Sequence, residues 1–343
     1  MENQQQERML VVGGGGSRGA WGAGFASHLV KKYNRPYRFV FGTSTGSLMA
    51  PMIVLNDFET LKQAYTGVTQ ESIFDVNPFK PDGNLKTLLA AWRLITGKKT
   101  FGESNNLRRL IGQFLTPVRY NEIVQSVPDR QFTVCTVNYE NGRAQYTASS
   151  RHRPYQEMIN WIWASANEPL FMSFVDEKWL AGGVYVDGGV RENIPIIAAL
   201  EYARQHGLFD IDIIVNKPRD PIINKQFTPA GILKNLLRLI ELWETELRND
   251  DIIIALLMSE LGRTSIPDLS KEKTVRPEPM FRLNFHYIPV PLYEANTNEL
   301  IFNRENMLQL WQEGAAGNED PKVLSVAVKP EQVDIYLEKQ QLK

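Results

Sequence analysis

One serine in the sequence has the neighbours that a catalytic nucleophile needs. Ser44 lies between Gly42 and Gly46, after an apolar, β-favouring run at residues 39–41 and before a helix-compatible stretch. In this order of strand, sharp turn and helix, called a nucleophile elbow, the serine hydroxyl projects from the top of a sheet. Glycines flank the serine because larger side chains would collide with neighbouring backbone. The pattern predicts an activated serine, with an ordinary Gly/Ser turn as the alternative for so short a motif.

A run of four glycines, residues 13–16, follows a predicted buried strand and precedes a predicted helix. Backbone N–H groups of such a loop favour a negative charge. Gly14, Gly16 and Gly19 match the dinucleotide pattern G-x-G-x-x-G, but the second strand ends without the carboxylate that would hold a ribose. A P-loop is excluded because no Gly-Lys-Ser/Thr follows the glycines. An oxyanion hole beside Ser44 is favoured over a purely structural turn, since neighbouring strands end about 5 Å apart.

A third segment places an aspartate at the end of a short predicted strand. Asp187 precedes Gly188 and Gly189, and Pro195 begins the next predicted helix. An aspartate held close by glycines can approach another loop, although this segment alone favours a structural Asp-Gly turn. A carboxyl group with an ordinary pKa of about 3.9 is a poor base for a serine hydroxyl, so a catalytic role requires burial.

The histidines offer a second candidate for a base. His286 is the only plausible histidine in the order of a Ser-Asp-His triad, and no glycine or turn presents it, so it is the less favoured choice. No His, Cys or carboxylate cluster has the spacing of metal ligands, which predicts an enzyme without a metal or other cofactor. The other histidines lie within a helix, between arginines in a loop and at a helix end, at positions 28, 152 and 206.

Composition excludes several classes of protein. The 343 residues are 43% hydrophobic and 22% charged, and the formal net charge of −1 argues against a nucleic-acid partner. The single cysteine, Cys135, lies in an apolar run and excludes a disulfide framework. The N-terminus is polar and no apolar stretch reaches the length of a membrane span, so we expect a cytoplasmic protein without a signal peptide. A transient, peripheral contact with a membrane surface is compatible with these features.

The whole chain alternates predicted strands and helices, which favours one α/β domain over residues 1–343. We place its motif-bearing core at about 8–217, and a helical layer with the last strand and helix at about 228–315. Predicted helices cover residues 48–61, 85–95, 106–115, 155–166, 196–206, 232–247, 250–261 and 303–313, and predicted strands cover 131–137, 144–148, 211–215 and 281–291.

Lysines and arginines cluster between residues 80 and 109. We interpret this cluster as a solvated face of the protein. The alternative is a lid or a surface that meets anionic lipid.

Three of these segments, taken in order, resemble the patatin-like phospholipase family. Residues 14–19 match its block G-G-G-x-[R/K]-G, residues 42–46 match G-x-S-x-G, and residues 187–189 match D-G-[A/G]. The segments 164–166 and 193–195 are also similar to the family. Each block alone is weak, but the three in order are highly specific. The resemblance spans roughly the first 195 residues.

The resemblance implies a three-layer α/β/α fold with a mostly parallel central sheet, and a lipid acyl hydrolase with a Ser-Asp dyad. It makes Ser44 the nucleophile and Asp187 the residue that orients and activates it. It also assigns the oxyanion and substrate-binding loop to Gly14, Gly15, Gly16, Ser17, Arg18 and Gly19, with Arg18 fixing the loop, and the shape of the elbow and of the Asp187 turn to Gly42, Gly46, Gly188 and Gly189.

The expected reaction is cleavage of a fatty acyl ester, of phospholipase A, lysophospholipase or esterase type, through an acyl-Ser44 intermediate. Its partner is then a lipid or another acyl ester. Two alternatives remain open. A transacylase would use the same dyad with an alcohol in place of water, and a binding module would hold a nucleotide or another anion on the glycine loop without chemistry.

Overall fold

A mixed β-sheet with helices on both faces is the framework of the protein, which is described by a computed structural model. The described residues are 7–208, 210–219, 228, 232–263, 281–296, 298–321 and 324–328. The strands are β1 (Arg8–Val12), β2 (Phe39–Thr43), β3 (Gln131–Asn138), β4 (Ala144–Ala148), β5 (Tyr185–Asp187), β6 (Asp210–Val215), β7 (Phe281–Tyr287) and β8 (Leu324–Val328). The helices are α1 (Gly19–Tyr33), α2 (Thr45–Val54), α3 (Phe58–Thr66), α4 (Gln70–Ile73), α5 (Thr87–Ile95), α6 (Asn105–Phe114), α7 (Pro117–Gln125), α8 (Tyr155–Ser165), α9 (Ile196–His206), α10 (Ile232–Arg263), α11 (Val290–Ala295) and α12 (Arg304–Ala315).

The middle of the sheet is parallel. Its strand order is β4-β3-β2-β1-β6-β7-β8, and β5 pairs with β3 outside this path. The five strands from β3 to β7 in this order run parallel, whereas β4, β5 and β8 pair antiparallel with their neighbours. The carboxyl ends of the parallel strands share one edge, where open α/β sheets bind their ligands. This architecture confirms the predicted three-layer α/β/α fold.

Side chains of β1 alternate between two hydrophobic cores, as the two-residue period of a strand requires. Leu10 and Val12 pack in a core with α1, α2, α8 and α12. Met9 and Val11 pack in a second core on the opposite face, with α9 and with Ala255 of α10. The strand is therefore buried on both faces, which explains its uninterrupted run of apolar residues.

Three predicted helices differ from the structure. The helix expected over 48–61 is wrong, because α2 ends at Val54 and α3 begins at Phe58. Asp57 caps α3, since its Oδ1 accepts a hydrogen bond from the Thr60 backbone N–H at 3.0 Å. Conversely, the two helices expected over 232–247 and 250–261 are one continuous helix, α10.

The expected last strand is also corrected, whereas the last helix, expected over 303–313, is confirmed as α12. The strand expected over 281–291 ends at Tyr287, and α11 follows Pro289. It is not the last strand, because β8 pairs antiparallel with it further along the chain. The hairpin of β3 and β4 and the helix 196–206 are confirmed, and Cys135 is buried as expected. In the described part of the chain, the helices are all too short or too polar to cross a membrane.

His286 belongs to a buried polar network that holds the centre of the sheet. Its Nδ1 lies 2.7 Å from Glu319 Oε2 and its Nε2 lies 3.4 Å from Asp212 Oδ1. Arg8 donates two hydrogen bonds to the Asp212 carboxylate, at 2.8 and 2.6 Å, and the Tyr37 hydroxyl donates a third at 2.6 Å. Because both ring nitrogens have carboxylate partners, the network accounts for His286 without a catalytic role.

This network predicts a pH-dependent stability. Burial raises the pKa of Asp212, but hydrogen bonds from His286, Arg8 and Tyr37 outweigh it and lower the pKa from 3.8 to about 2. Burial lowers the pKa of His286, but its hydrogen bonds to Asp212 and Glu319 outweigh it and raise the pKa above 6.5. As the pH falls from about 4 to about 2, protonation of Asp212 should cost about 2 kcal/mol of the free energy of unfolding. As the pH rises through the raised pKa of His286, the contribution of the imidazolium should also be lost.

Urea denaturation of the wild type and of Asp212→Asn, repeated at several pH values, measures both effects. The variant should be less stable at neutral pH and should lose less of its stability between pH 4 and pH 2 than the wild type, to the extent of about 2 kcal/mol. Parallel curves for the two proteins would contradict the assignment.

Candidate functional site

Ser44 lies at the turn between β2 and α2, half-buried, with φ 55° and ψ −123°. A non-glycine residue with positive φ is strained, and such strain concentrates at functional sites. The two flanking glycines have no room for a side chain. An ideal Cβ on Gly42 would lie 2.4 Å from the Gly46 carbonyl oxygen, and one on Gly46 would lie 2.2 Å from the Val12 carbonyl oxygen. The elbow predicted from the sequence is therefore formed, and close backbone contact is the reason for its glycines.

Buried hydroxyl groups hold the elbow from below. The Ser44 backbone N–H donates to Ser165 Oγ at 3.1 Å, and the Ser165 hydroxyl donates to the Cys135 carbonyl at 2.5 Å. The Ser47 hydroxyl lies 2.7 Å from Ser165 Oγ and donates to the Gly42 carbonyl at 2.8 Å. These bonds tie the turn to α8 and β3, so the position of the Ser44 hydroxyl is set by two neighbouring elements.

Strand register brings Asp187 to the end of β2. Thr43, the last residue of β2, pairs with Cys135 of β3. The next residue of β3, Thr136, pairs with Gln145 of β4 on one side and with Asp187 of β5 on the other. β4 pairs with one edge of β3, and β2 pairs with the other edge. β5 pairs with the same edge as β2, beyond the point where β2 ends. The carboxyl ends of β2 and β5 therefore meet head to head, with Ser44 following the one and Asp187 ending the other.

The Asp187 side chain is buried, with 6% of its surface exposed. Its Oδ1 accepts a hydrogen bond from the Gly189 backbone N–H at 2.7 Å, and its own N–H donates to the Asn167 carbonyl at 3.0 Å. Gly188 packs on β3, where an ideal Cβ would lie 2.5 Å from the Cys135 carbonyl oxygen. Gly188 thus lets the Asp187 turn lie directly on the sheet.

Four backbone N–H groups in and after the glycine loop that follows β1 donate hydrogen bonds to backbone carbonyls. Gly13 N–H donates to the Ile214 carbonyl and Gly14 N–H to the Asn193 carbonyl, both at 3.0 Å. Further along, Ser17 N–H donates to the Glu299 carbonyl at 2.8 Å and Arg18 N–H to the Gly15 carbonyl at 3.0 Å. Within the described residues, the amides of Gly15 and Gly16 have no such acceptor, and both residues line the cavity that Ser44 lines. The loop therefore offers two backbone donors.

Gly15 and Gly16 also need to be glycine. Their φ angles are 155° and 52°, which other residues rarely adopt. An ideal Cβ would lie 2.5 Å from Asn216 Cβ at Gly15 and 2.2 Å from the Glu299 carbonyl oxygen at Gly16. The backbone conformation of the loop at these two positions is thus incompatible with a side chain.

Three of the residues assigned to this loop, Ser17, Arg18 and Gly19, lie outside the cavity lining and support the loop. Arg18 is buried, pairs with the Glu299 carboxylate, and stacks on the Tyr293 ring with its guanidinium carbon 4.5 Å from the centroid. Burial raises the pKa of Glu299, but the charges of Arg18 and Lys217 outweigh it and keep that pKa below its ordinary value. Gly19 packs on the elbow, where an ideal Cβ would lie 2.1 Å from Thr45 Oγ1. Ser17 is also buried.

Gly14 lies nearest to Ser44. An ideal Cβ on Gly14 would lie 3.2 Å from Ser44 Cβ and 2.9 Å from Asn193 Nδ2. Asn193 follows the Asp187 turn, and Asp251 of α10 fixes this segment because its Oδ2 accepts a hydrogen bond from the Ile194 N–H at 2.8 Å. The glycine loop, Ser44 and the segment after Asp187 therefore converge within a few ångströms.

A cavity of about 340 Å³ opens at this point. Ser44, Asp187, Gly14, Gly15 and Gly16 all line it, and its lining continues from exposed residues such as Trp243 to buried ones. Polar side chains line it near the glycine loop, among them Asn193, Lys217 and Glu299. Most of the remaining wall is apolar, with Leu48, Pro51, Met52, Leu61, Tyr65, Val68, Ile73, Leu107, Leu110, Ile111, Phe114, Leu115, Ile162, Met172, Leu300, Phe302 and Met307.

Four residues of this site carry no catalytic signal of their own in the sequence. Ser165 and Asn193 lie in segments that already resemble the family, so their positions could have been noted. Lys217 and Glu299 are distant in the chain from every motif, and they reach the glycine loop only through the packing of β6 and of the segment before α12. No local pattern would have found them.

A solved structure and a family model are similar to this chain. VipD from Legionella pneumophila is a structural neighbour with a TM-score of 0.42 and 12% sequence identity, over 93% of this chain and 68% of that chain. No curated protein sequence matches the chain. The family model described as patatin-like phospholipase matches residues 10–200, which include the glycine loop, the elbow and the Asp187 turn. Since this match spans more than half of the sequence, the chain belongs to the patatin-like phospholipase family.

Proposed function

We propose that the protein hydrolyses long-chain fatty acyl esters of lipids, with Ser44 as nucleophile and Asp187 as base. Family membership implies lipid acyl hydrolase activity on a lipid ester. The observation that carries the finer proposal is that Ser44, Asp187 and the glycine loop all line one mostly apolar cavity.

The proposed reaction begins when Asp187 accepts the proton of the Ser44 hydroxyl. Ser44 Oγ attacks the ester carbonyl carbon, and the negative charge develops on the carbonyl oxygen. In this proposal the amides of Gly15 and Gly16 donate hydrogen bonds to this oxygen, and each donor in such a site stabilises the transition state by about 3–4 kcal/mol. Asp187 then returns the proton to the leaving alcohol. A water molecule, deprotonated by Asp187, hydrolyses the acyl-serine and restores both groups.

The acyl chain occupies the apolar part of the cavity. The volume of about 340 Å³ is within the range of small-molecule pockets, about 300–1,000 Å³. Aliphatic side chains of α2, α3 and α6 form this wall, including Met52, Leu61 and Leu107. Burying a hydrocarbon chain against them is favourable by about 0.8 kcal/mol per CH₂ group. This gain favours long chains over short ones.

Narrowing the cavity should shorten the preferred chain. Leu107 is buried in the wall and belongs to α6, away from Ser44 in the chain. Leu107→Trp is expected to lower kcat/KM for a palmitoyl ester by about 10–100-fold and to leave that for a butyryl ester within about threefold. Val118→Trp, at an exposed position of α7, is the matched control and should change neither. An equal loss for both esters would contradict the placement of the acyl chain.

Product analysis separates water from an alcohol as the acceptor. The wild type should release free fatty acid, with no acylglycerol formed when glycerol is added. If acylglycerol were the main product, the reaction would be acyl transfer to an alcohol and not hydrolysis.

A further inference from the structure

The outer face of α5 is an apolar surface that no described element covers. Leu88, Trp92, Leu94 and Ile95 have exposed fractions of 88%, 54%, 67% and 86%. At 100° per residue, these four side chains and Ala91 cover an arc of about 160° of the helix. Soluble proteins rarely expose so many large apolar side chains together without a binding partner.

The inner face of α5 fixes this orientation. Arg93 is buried there, where its Nε donates to the Thr100 carbonyl at 2.6 Å and its Nη2 to Glu103 Oε1 at 2.8 Å. Ala90 packs beside it in the main hydrophobic core. Rotating the helix to cover its apolar face would break the Arg93 bonds and leave a charge without partners, which is costly. The apolar face therefore stays outward.

Positively charged side chains lie at both ends of α5, next to the apolar face. Lys98 and Lys99 follow the carboxyl end of α5 and are exposed, and Lys86 precedes the helix. Residues 83–102 contain no aspartate or glutamate. An amphipathic helix that lies in a lipid interface combines an apolar face, a tryptophan and flanking lysines in this way. Each lysine near an anionic lipid surface adds to the attraction.

We propose that α5 is a membrane-docking element, which inserts Leu88, Trp92 and Ile95 into the interface of an anionic lipid membrane. Charge complementarity selects this partner, because the lysines beside the apolar face meet no acidic residue in the segment. The apolar arc, which also includes Leu94, is broader than the single seam that a helix presents to a protein groove. The benefit of docking rests on the proposed lipid hydrolase function, since it brings the cavity to its substrate.

Vesicle co-sedimentation of the full chain tests this proposal. The Ser44→Ala protein is used, so that binding is measured without hydrolysis of the lipid. It should bind vesicles of phosphatidylcholine with phosphatidylglycerol more tightly than vesicles of phosphatidylcholine alone, and salt should weaken this difference. Leu88→Ser/Trp92→Ser/Ile95→Ser should lower the partition coefficient by about tenfold or more, and Lys98→Gln/Lys99→Gln by about fivefold per lysine on the anionic vesicles only.

Val118→Ser is the matched control, because Val118 is an exposed apolar residue of α7 outside this surface, and its binding should equal that of the parent. The triple variant should unfold at the temperature of the parent, since its changed side chains are exposed. Brominated lipid should quench the fluorescence of the parent more than that of Trp92→Phe. Equal vesicle binding by the parent and the triple variant would overturn the proposal, and so would equal quenching of the parent and Trp92→Phe.

Light scattering without lipid tests whether a second copy of the chain covers this surface instead. A dimer that the triple variant dissociates would show that a second copy of the chain covers α5, and would overturn membrane docking. Failure of the proposed hydrolase appears elsewhere, as absence of fatty acid release by the wild type, and leaves the vesicle result independent.

Discussion

Ser44→Ala is expected to abolish fatty acid release and covalent labelling by a fluorophosphonate, with kcat reduced by at least about 10⁴-fold. The alanine removes the attacking oxygen and leaves the glycine loop and the cavity unchanged. Intact mass spectrometry of wild type and variant measures labelling, and release of fatty acid from a long-chain ester measures turnover. Ser173→Ala, a serine that does not line the cavity, is the matched control and should label as the wild type does.

The backbone of Ser44 adds a second expectation for this position. Its φ of 55° strains any residue with a Cβ, so Ser44→Ala keeps the strain while Ser44→Gly relieves it. The glycine variant should be more stable than the alanine variant by about 1 kcal/mol in urea denaturation, although glycine usually lowers stability through its larger freedom in the unfolded chain. Persistent labelling of Ser44→Ala would show that another serine is the nucleophile, and a less stable glycine variant would contradict the strain.

Asp187→Asn is expected to reduce kcat nearly as much as Ser44→Ala does, by at least about 10⁴-fold. The asparagine keeps the size of the side chain and an oxygen that accepts the Gly189 N–H, so the turn should persist. It cannot accept the proton of Ser44, however, and the serine remains a neutral alcohol. Single-turnover acylation is the sharpest measurement, because it reports the step in which the base acts.

Glu192→Gln is the matched control, because Glu192 is a half-buried carboxylate five residues after Asp187. Glu192 accepts a hydrogen bond from Tyr146 and does not line the cavity, so its replacement should leave acylation within about threefold of wild type. If Asp187→Asn retained acylation and His286→Gln lost it, the base would be His286, and the Asp212–Glu319 network would need another explanation.

The sequence predicts the positions of the two turns because their glycines lie close to the functional residues in the chain. A Cβ on Gly42 would meet Gly46 of the same turn, and one on Gly189 would approach the Asp187 carboxylate. Gly46 and Gly188 are instead required by the backbones of β1 and β3, on which the two turns pack. A short motif therefore marks each turn, although part of the reason for its glycines lies in other strands. The conclusion that the three motifs meet depends on a parallel sheet, which the alternation of strands and helices already predicts.

The remaining features depend on contacts between distant segments. Asp251 illustrates this, because an aspartate pair at 250–251 is typical of a helix beginning, and the sequence predicts that one helix ends at 247 and another begins at 250. In the structure Asp251 lies within α10 and its carboxylate accepts the Ile194 N–H of another segment. Glu299 likewise binds Ser17 and Arg18 across the fold. Neither contact has a periodicity or spacing that a single sequence displays.

The shared pairing of β2 and β5 with β3 has a consequence for engineering. The last residue of β2 and the last residue of β5 pair with consecutive residues of β3. The backbone of β3 therefore sets the distance between Ser44 and Asp187 along the strand. Inserting one residue between Cys135 and Thr136 would move the two side chains apart by about 3.3 Å along the strand. Insertions in the long segment between α2 and β3 would leave that separation unchanged. Its helices α3 and α6 line the cavity, so they are the part of the protein that can be exchanged to alter the proposed substrate without moving Ser44 and Asp187 apart.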